Sequence, residues 1–166
     1  MTDPDLGFEE FVAARWAPLY RTAYLLCGTS HEAEDLLQSA LATTCVRWGA
    51  IRDKGAADAY VRRTMLNLAQ RHWRRRRREV ATEHLPDPGH DHLGARADHV
   101  ALWTEVRRLP PRMRAVLVLR YFEDLSVSET AAALGCSEGT VKSQTHHAVD
   151  RLRAALPALE LAEDHA

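Results

Sequence analysis

The chain has 166 residues, 46% hydrophobic and 27% charged, with a formal net charge of −1. That fits one globular domain or two small ones, and no apolar run approaches the ~20 residues a membrane-spanning helix needs. The acidic start (Asp3, Asp5, Glu9, Glu10) has no basic segment leading into an apolar one, so it does not read as a signal peptide.

Runs rich in Ala, Leu, Arg and Glu dominate, and β-branched alternation is nearly absent, which predicts an all-α fold. A first helix is expected from Leu6 to about Cys27, with Phe8, Phe11, Val12, Trp16, Leu19, Ala23 and Leu26 on a recurring face and Gly28 as its stop. Thr29-Ser30-His31-Glu32 reads as a capping box, in which hydroxyl and carboxylate each satisfy a free N–H. The second helix runs to about Trp48. Leu37, Leu41, Thr44, Cys45 and Trp48 form its inner face, Asp35, Gln38 and Ala42 project elsewhere, and Glu34 sits at the boundary. A break follows over 49–58, with Gly55 in a loop.

The third helix is expected from about Ala59 into the run Arg71-His72-Trp73-Arg74-Arg75-Arg76-Arg77-Arg78. Val61, Met65, Leu68, Ala69 and Trp73 make one stripe. Arg63, Asn67, Gln70, Arg71 and Arg74 make another, polar and cationic. With a chain charge near zero this basic charge is local. Arg pairs with phosphate and an aromatic ring stacks on an unpaired base, so the stripe points to nucleic acid rather than to a merely solvated helix end.

Residues 81–97 lose the periodicity and carry Pro86, Pro88, Gly89, Gly94 and several acids, a flexible linker. His84, His90, His92 and His99 have no helical spacing or nearby Cys to set a ligand geometry, so no metal site is assigned. Cys27, Cys45 and Cys136, odd in number and far apart, read as reduced, buried small residues of a cytoplasmic protein.

A second module is expected over 98–159, with a tail over 160–166. Val100 to Leu109 is a helix ended by Pro110-Pro111, and Pro111 opens another to Tyr121 with Val116, Leu117, Leu119 and Tyr121 as apolar positions. Ser126-Val127-Ser128-Glu129 is a second capping box, starting a helix to Leu134. Gly135 suits a left-handed turn, and Ser137 caps the next helix. Two short helices about a Gly turn make a helix-turn-helix, whose second helix enters the major groove by its N-terminal end. Ser137, Glu138, Thr140, Lys142, Ser143, Gln144, His146 and His147 are the DNA-facing candidates, with Val141, Ala148 and Leu152 inward.

A resemblance is carried by Ala33-Glu34-Asp35-Leu36-Leu37-Gln38, Leu109-Pro110-Pro111-Arg112, Val116-Leu117-Val118-Leu119-Arg120-Tyr121-Phe122, Leu125-Ser126, Glu129-Thr130-Ala131 and, most specifically, Leu134-Gly135-Cys136-Ser137-Glu138-Gly139-Thr140-Val141-Lys142-Ser143. With the Arg tract between them, they resemble the extracytoplasmic-function group of bacterial RNA polymerase sigma factors, in particular its short actinobacterial-type members. The resemblance covers most of the chain. It implies a region 2 bundle over 1–80 and a region 4 helix-turn-helix over 98–159, without the large N-terminal region of the wider family. It also implies roles. Glu34, Asp35 and Gln38 would dock on core polymerase. The loop from Ile51 to Asp58 and the following helix, with Arg62, Arg63, Asn67, Gln70, Arg71, Arg74 and Arg75, would read and open the −10 element. The helix-turn-helix would read the −35 element. Partners would be core RNA polymerase and promoter DNA, with an anti-sigma factor left open and no membrane.

The chain departs from the group after Ser143. Gln144-Thr145-His146-His147-Ala148 stands where Arg-Leu-His-Arg-Ala is usual, so two cations are replaced by neutral groups and −35 binding is expected to be weaker or altered. Without the resemblance, the helix-turn-helix alone also allows a stand-alone DNA-binding regulator, which leaves the first module unexplained. No Gly-rich phosphate loop, nucleophile elbow or zinc-type His/Glu spacing is present, so neither catalytic residue nor cofactor is assigned.

Overall fold

Seven α-helices and three short irregular helical turns make up the described part of the computed structural model, residues 4–79 and 97–157. No strand occurs among the described residues. The chain divides into two units, Met1–Gly89 and His90–Ala166. The expected linker over 81–97, with His84, His90 and His92, falls almost wholly outside the described residues, as does the expected tail.

In the first unit, α1 (Pro4–Cys27), α2 (Ser30–Arg47) and α3 (Ala57–Glu79) pack against one another. Their buried stripes recur every three or four residues: Leu19, Ala23 and Leu26; Ala33, Leu37, Ala40 and Thr44; Val61, Met65 and Ala69. Phe8, Phe11 and Trp48 close one end, both Phe rings lying 5.2 Å from the indole. Trp16 and Cys45, expected inward, are exposed. Cys45 is one residue past the stripe that Thr44 completes, a rotation of about 100° on the helix. The buried reading of the cysteines therefore fails for Cys45 and holds only halfway for Cys27 and Cys136, which are partly exposed; all three are free thiols.

Between α2 and α3 the chain makes two 3-10 turns, Trp48–Ala50 and Lys54–Ala56. The Asp53 carboxylate accepts from the Gly55 N–H at 2.9 Å. This capped turn runs straight into α3, which therefore starts at Ala57 rather than near Ala59. Lys54 Nζ donates to the Trp48 carbonyl and sits 4.1 Å from the centroid of the Trp48 ring.

In the second unit, α4 (Ala97–Arg108), α5 (Pro111–Leu117), α6 (Val127–Leu134) and α7 (Glu138–Ala155) surround a core of Val106, Leu109, Leu117, Ala148 and Leu152. The helix expected to reach Tyr121 is α-helical only to Leu117. It continues as a π turn, Val118–Phe122, closed by a 2.9 Å bond from the Glu123 N–H to the Val118 carbonyl. The wider turn rotates the last residues outward, so Tyr121 and Phe122 are 49% and 43% exposed.

Candidate polymerase and DNA interfaces

Glu34, Asp35 and Gln38 lie together on the exposed side of α2, opposite the face that buries Ala33, Leu37 and Ala40. The His31 ring lies 3.5 Å from the Asp35 carboxylate. The start of α2 is capped by the Thr29 hydroxyl, which accepts from the Glu32 N–H at 3.3 Å and donates to the Glu32 carboxylate at 3.1 Å. The expected reciprocal bond is thus replaced: the carboxylate turns to the hydroxyl and to Arg76 on α3, 3.0 Å away.

On α3 the cationic stripe forms as expected. Arg63, Asn67, Arg71 and Arg74 are exposed, Gln70 is half-buried beside them, and Arg78 continues the row. Arg75 is exposed but one step around the helix. Arg62 lies away from the stripe, half-buried, with its Nε 3.0 Å from Asp58. The other Asp58 oxygen takes Arg15 Nε of α1 at 2.6 Å. Asp58, expected at the end of a loop, thus ties α3 to α1 and fixes how the stripe emerges from the bundle.

The helix-turn-helix is built by its caps. Ser126 and Glu129 form a complete capping box: the Ser126 N–H donates to the Glu129 carboxylate at 2.8 Å, and the Glu129 N–H to the Ser126 hydroxyl at 3.1 Å. Both groups at Ser126, backbone N–H first and then hydroxyl, hold the Glu129 carboxyl below the ordinary carboxylate range. Gly135 ends α6 at φ +64°, and the Cys136 N–H closes back on the Ala131 carbonyl. Ser137 caps α7, accepting from the Thr140 N–H at 3.1 Å, and its hydroxyl lies 2.9 Å from that of Thr140.

Val141, Thr145, Ala148 and Leu152 are the buried face of α7. Ser137, Glu138, Thr140, Lys142, Ser143, His146 and His147 are exposed, and Gln144 is half-buried at the side. Gly139, Ser143 and His146, at three- and four-residue spacing, centre the outer face. His146 reaches Asp150 at 3.2 Å, which places a carboxylate on that face.

Two family descriptions match the chain in this order: sigma-70 region 2 over residues 12–79 and sigma-70 region 4 over 99–152. The RNA polymerase sigma-E factor of Streptomyces coelicolor is 48% identical over 158 residues, covering 94% of this chain and 89% of that one. The chain is a sigma-70-family RNA polymerase sigma factor.

The extracytoplasmic-function sigma factor SigM of Mycobacterium tuberculosis is 30% identical over 148 residues, covering 88% of this sigma factor and 75% of the relative. Among solved structures, the sigma factor RpoE of Bartonella quintana, crystallised with the anti-sigma factor NepR, gives a TM-score of 0.74. It covers 93% of this chain and 99% of the other, at 22% identity, and shares the fold. The sigma factor belongs to the extracytoplasmic-function group and directs promoter-specific initiation, which sets aside the stand-alone regulator. No described helix is long and apolar enough to cross a membrane.

The departure after Ser143 now has a location. Thr145 stands where the group's Leu is usual and is 5% exposed, its hydroxyl donating to the Val141 carbonyl at 2.8 Å. It is a packing change inside the unit, whereas Gln144 and His147 alter the outer surface. The sequence pattern does not reveal Glu32 and Asp58 as partners of Arg76 and Arg62. For Glu32 the signal is the register of Arg76, which falls on the stripe of Met65 and Ala69 rather than on that of Asn67 and Arg74.

Proposed function

We propose a division of labour between the two units. The Glu34, Asp35 and Gln38 surface of α2 docks on core RNA polymerase. The α3 stripe, with Arg63, Asn67, Gln70, Arg71 and Arg74, and the adjoining turns over 51–58 engage the −10 element. Opening a duplex there requires cations for the backbone and places for unstacked bases. The N-terminal half of α7 engages the −35 element in the major groove, with Lys142 on phosphate or guanine and Gln144 at the edge of the contact. The factor works in the cytoplasm, without catalysis of its own. Its polymerase-facing surfaces are also the ones an anti-sigma factor would cover.

One observation carries this reading: a single three-helix unit presents an exposed acidic and polar face on α2 and a cationic stripe on α3, and a capped helix-turn-helix follows in the same chain. Co-purification with bacterial core polymerase tests the docking assignment. The double variant Asp35→Ala, Gln38→Ala is expected to weaken binding about tenfold or more, ~1.4 kcal/mol, with unchanged thermal unfolding. Wild-type affinity in that variant would remove α2 from the interface.

A further inference from the structure

The five consecutive arginines Arg74–Arg78 are not equivalent. On a helix of 3.6 residues per turn, Met65, Ala69, His72 and Arg76 share one side, and Asn67, Gln70, Arg74 and Arg78 another. Met65 and Ala69 are buried against the bundle. Arg76 therefore points along the core stripe, toward α2, and its stem extends that stripe past the last apolar residue. The Glu32 carboxylate meets its guanidinium there at 3.0 Å. The same carboxylate is held by the Thr29 hydroxyl at 3.1 Å, and His72 Nε2 lies 3.9 Å from it. Glu32 is in the first turn of α2, where a negative charge is favoured by the helix dipole. It is thus a positioned acceptor that occupies Arg76 as a phosphate would.

We infer that Glu32 is a positioning residue that withholds Arg76 from DNA and so sets which arginines of the tract reach phosphate. The inference rests on the reading of α3 as the −10 helix. Arg74 and Arg76 are both exposed, and of the two it is Arg74 that shares the register of Asn67 and Gln70. Arg76 anchors the end of α3 to α2, two residues from the proposed polymerase-docking face.

Salt dependence separates a cation that meets phosphate from one that does not. Each phosphate contact to a single strand contributes about 0.7 to the slope of log affinity against log salt. The probe is a labelled single-stranded oligonucleotide, titrated with the full chain by fluorescence anisotropy over a range of NaCl. Arg74→Gln is expected to make the slope shallower by about 0.7. Arg76→Gln is expected to leave it unchanged. Glu32→Gln, which keeps a partner for Thr29, is expected to steepen it by about 0.7 as Arg76 is released. The double variant Glu32→Gln, Arg76→Gln is expected to return to the wild-type slope. Arg76→Met keeps the apolar stem and serves as a second variant should Arg76→Gln disturb the packing.

Equal losses at Arg74 and Arg76 would overturn the proposal and leave the DNA-facing reading of α3 intact. A double variant that stays steep would overturn it too, since removal of the Glu32 charge would then act without Arg76. An unchanged slope in Arg74→Gln as well as in Arg76→Gln would take this tract away from DNA, and the proposal with it.

Discussion

Glu129 and Ser126 show how a few polar atoms define the start of the helix-turn-helix. The lowered folded pKa of Glu129 contributes stability that is present above the unfolded value, near 4.5, and is lost as pH falls through the folded value. The stability difference between wild type and Glu129→Gln is therefore expected to shrink as pH is lowered below 4.5, measured by denaturant unfolding at a series of pH values. A difference that grows on acidification would contradict the cap. Ser126→Ala removes an acceptor for the Glu129 N–H and is expected to cost about 1 kcal/mol. Both capping boxes were legible in the sequence as Ser/Thr followed three residues later by Glu. Only the one at Ser126 closes fully, because a local pattern does not reveal that Arg76, 44 positions after Glu32, competes for the Glu32 carboxylate. The same limit hid Asp58, whose partners Arg15 and Arg62 come from two helices.

At the scale of elements, hydrophobic period was the dependable guide and local rules were less so. α1 runs through Pro18, which lacks the N–H for the Ala14 carbonyl, because Leu19, Ala23 and Leu26 beyond it are buried on the bundle. The period also placed the inner face of α7, with Val141, Ala148 and Leu152 buried. It misplaced Tyr121, since a π turn adds a residue that a 3.6 period does not anticipate. Asp124 then turns the chain at φ +53°, and Arg120 Nη1 donates to the Leu125 carbonyl at 2.8 Å, which fixes the approach to α6. The Gly135 turn was legible and has a defined energetic role. A Cβ there meets nothing within 4 Å, so the cost of Gly135→Ala is that of the left-handed backbone alone. It is expected to be about 1–2 kcal/mol, with Gly135→Asn milder. Each ~1 kcal/mol would lower the melting temperature of a unit this size by roughly 4–8 °C, read by thermal unfolding. A neutral Gly135→Ala would contradict the turn geometry.

On the scale of the whole molecule, function is carried by two helical units, each with its own core and its own exposed polar face. The first combines an acidic and polar surface on α2 with a cationic one on α3, and the second presents the N-terminal half of α7. Their order was legible because the motifs are long and distinctive. The chemistry at their edges was not, because ion pairs such as Glu32–Arg76 and Asp58–Arg15 join residues distant in the chain. In the proposed division of labour, one chain both docks on polymerase through α2 and selects start sites through its DNA faces. Run-off transcription with bacterial core polymerase, with and without this sigma factor, on fragments of genomic promoter DNA tests it most directly. Start sites are expected that need the protein and disappear with Asp35→Ala and Gln38→Ala combined. Initiation that is unchanged by that pair, or absent while the protein alone binds the same fragments specifically, would contradict it.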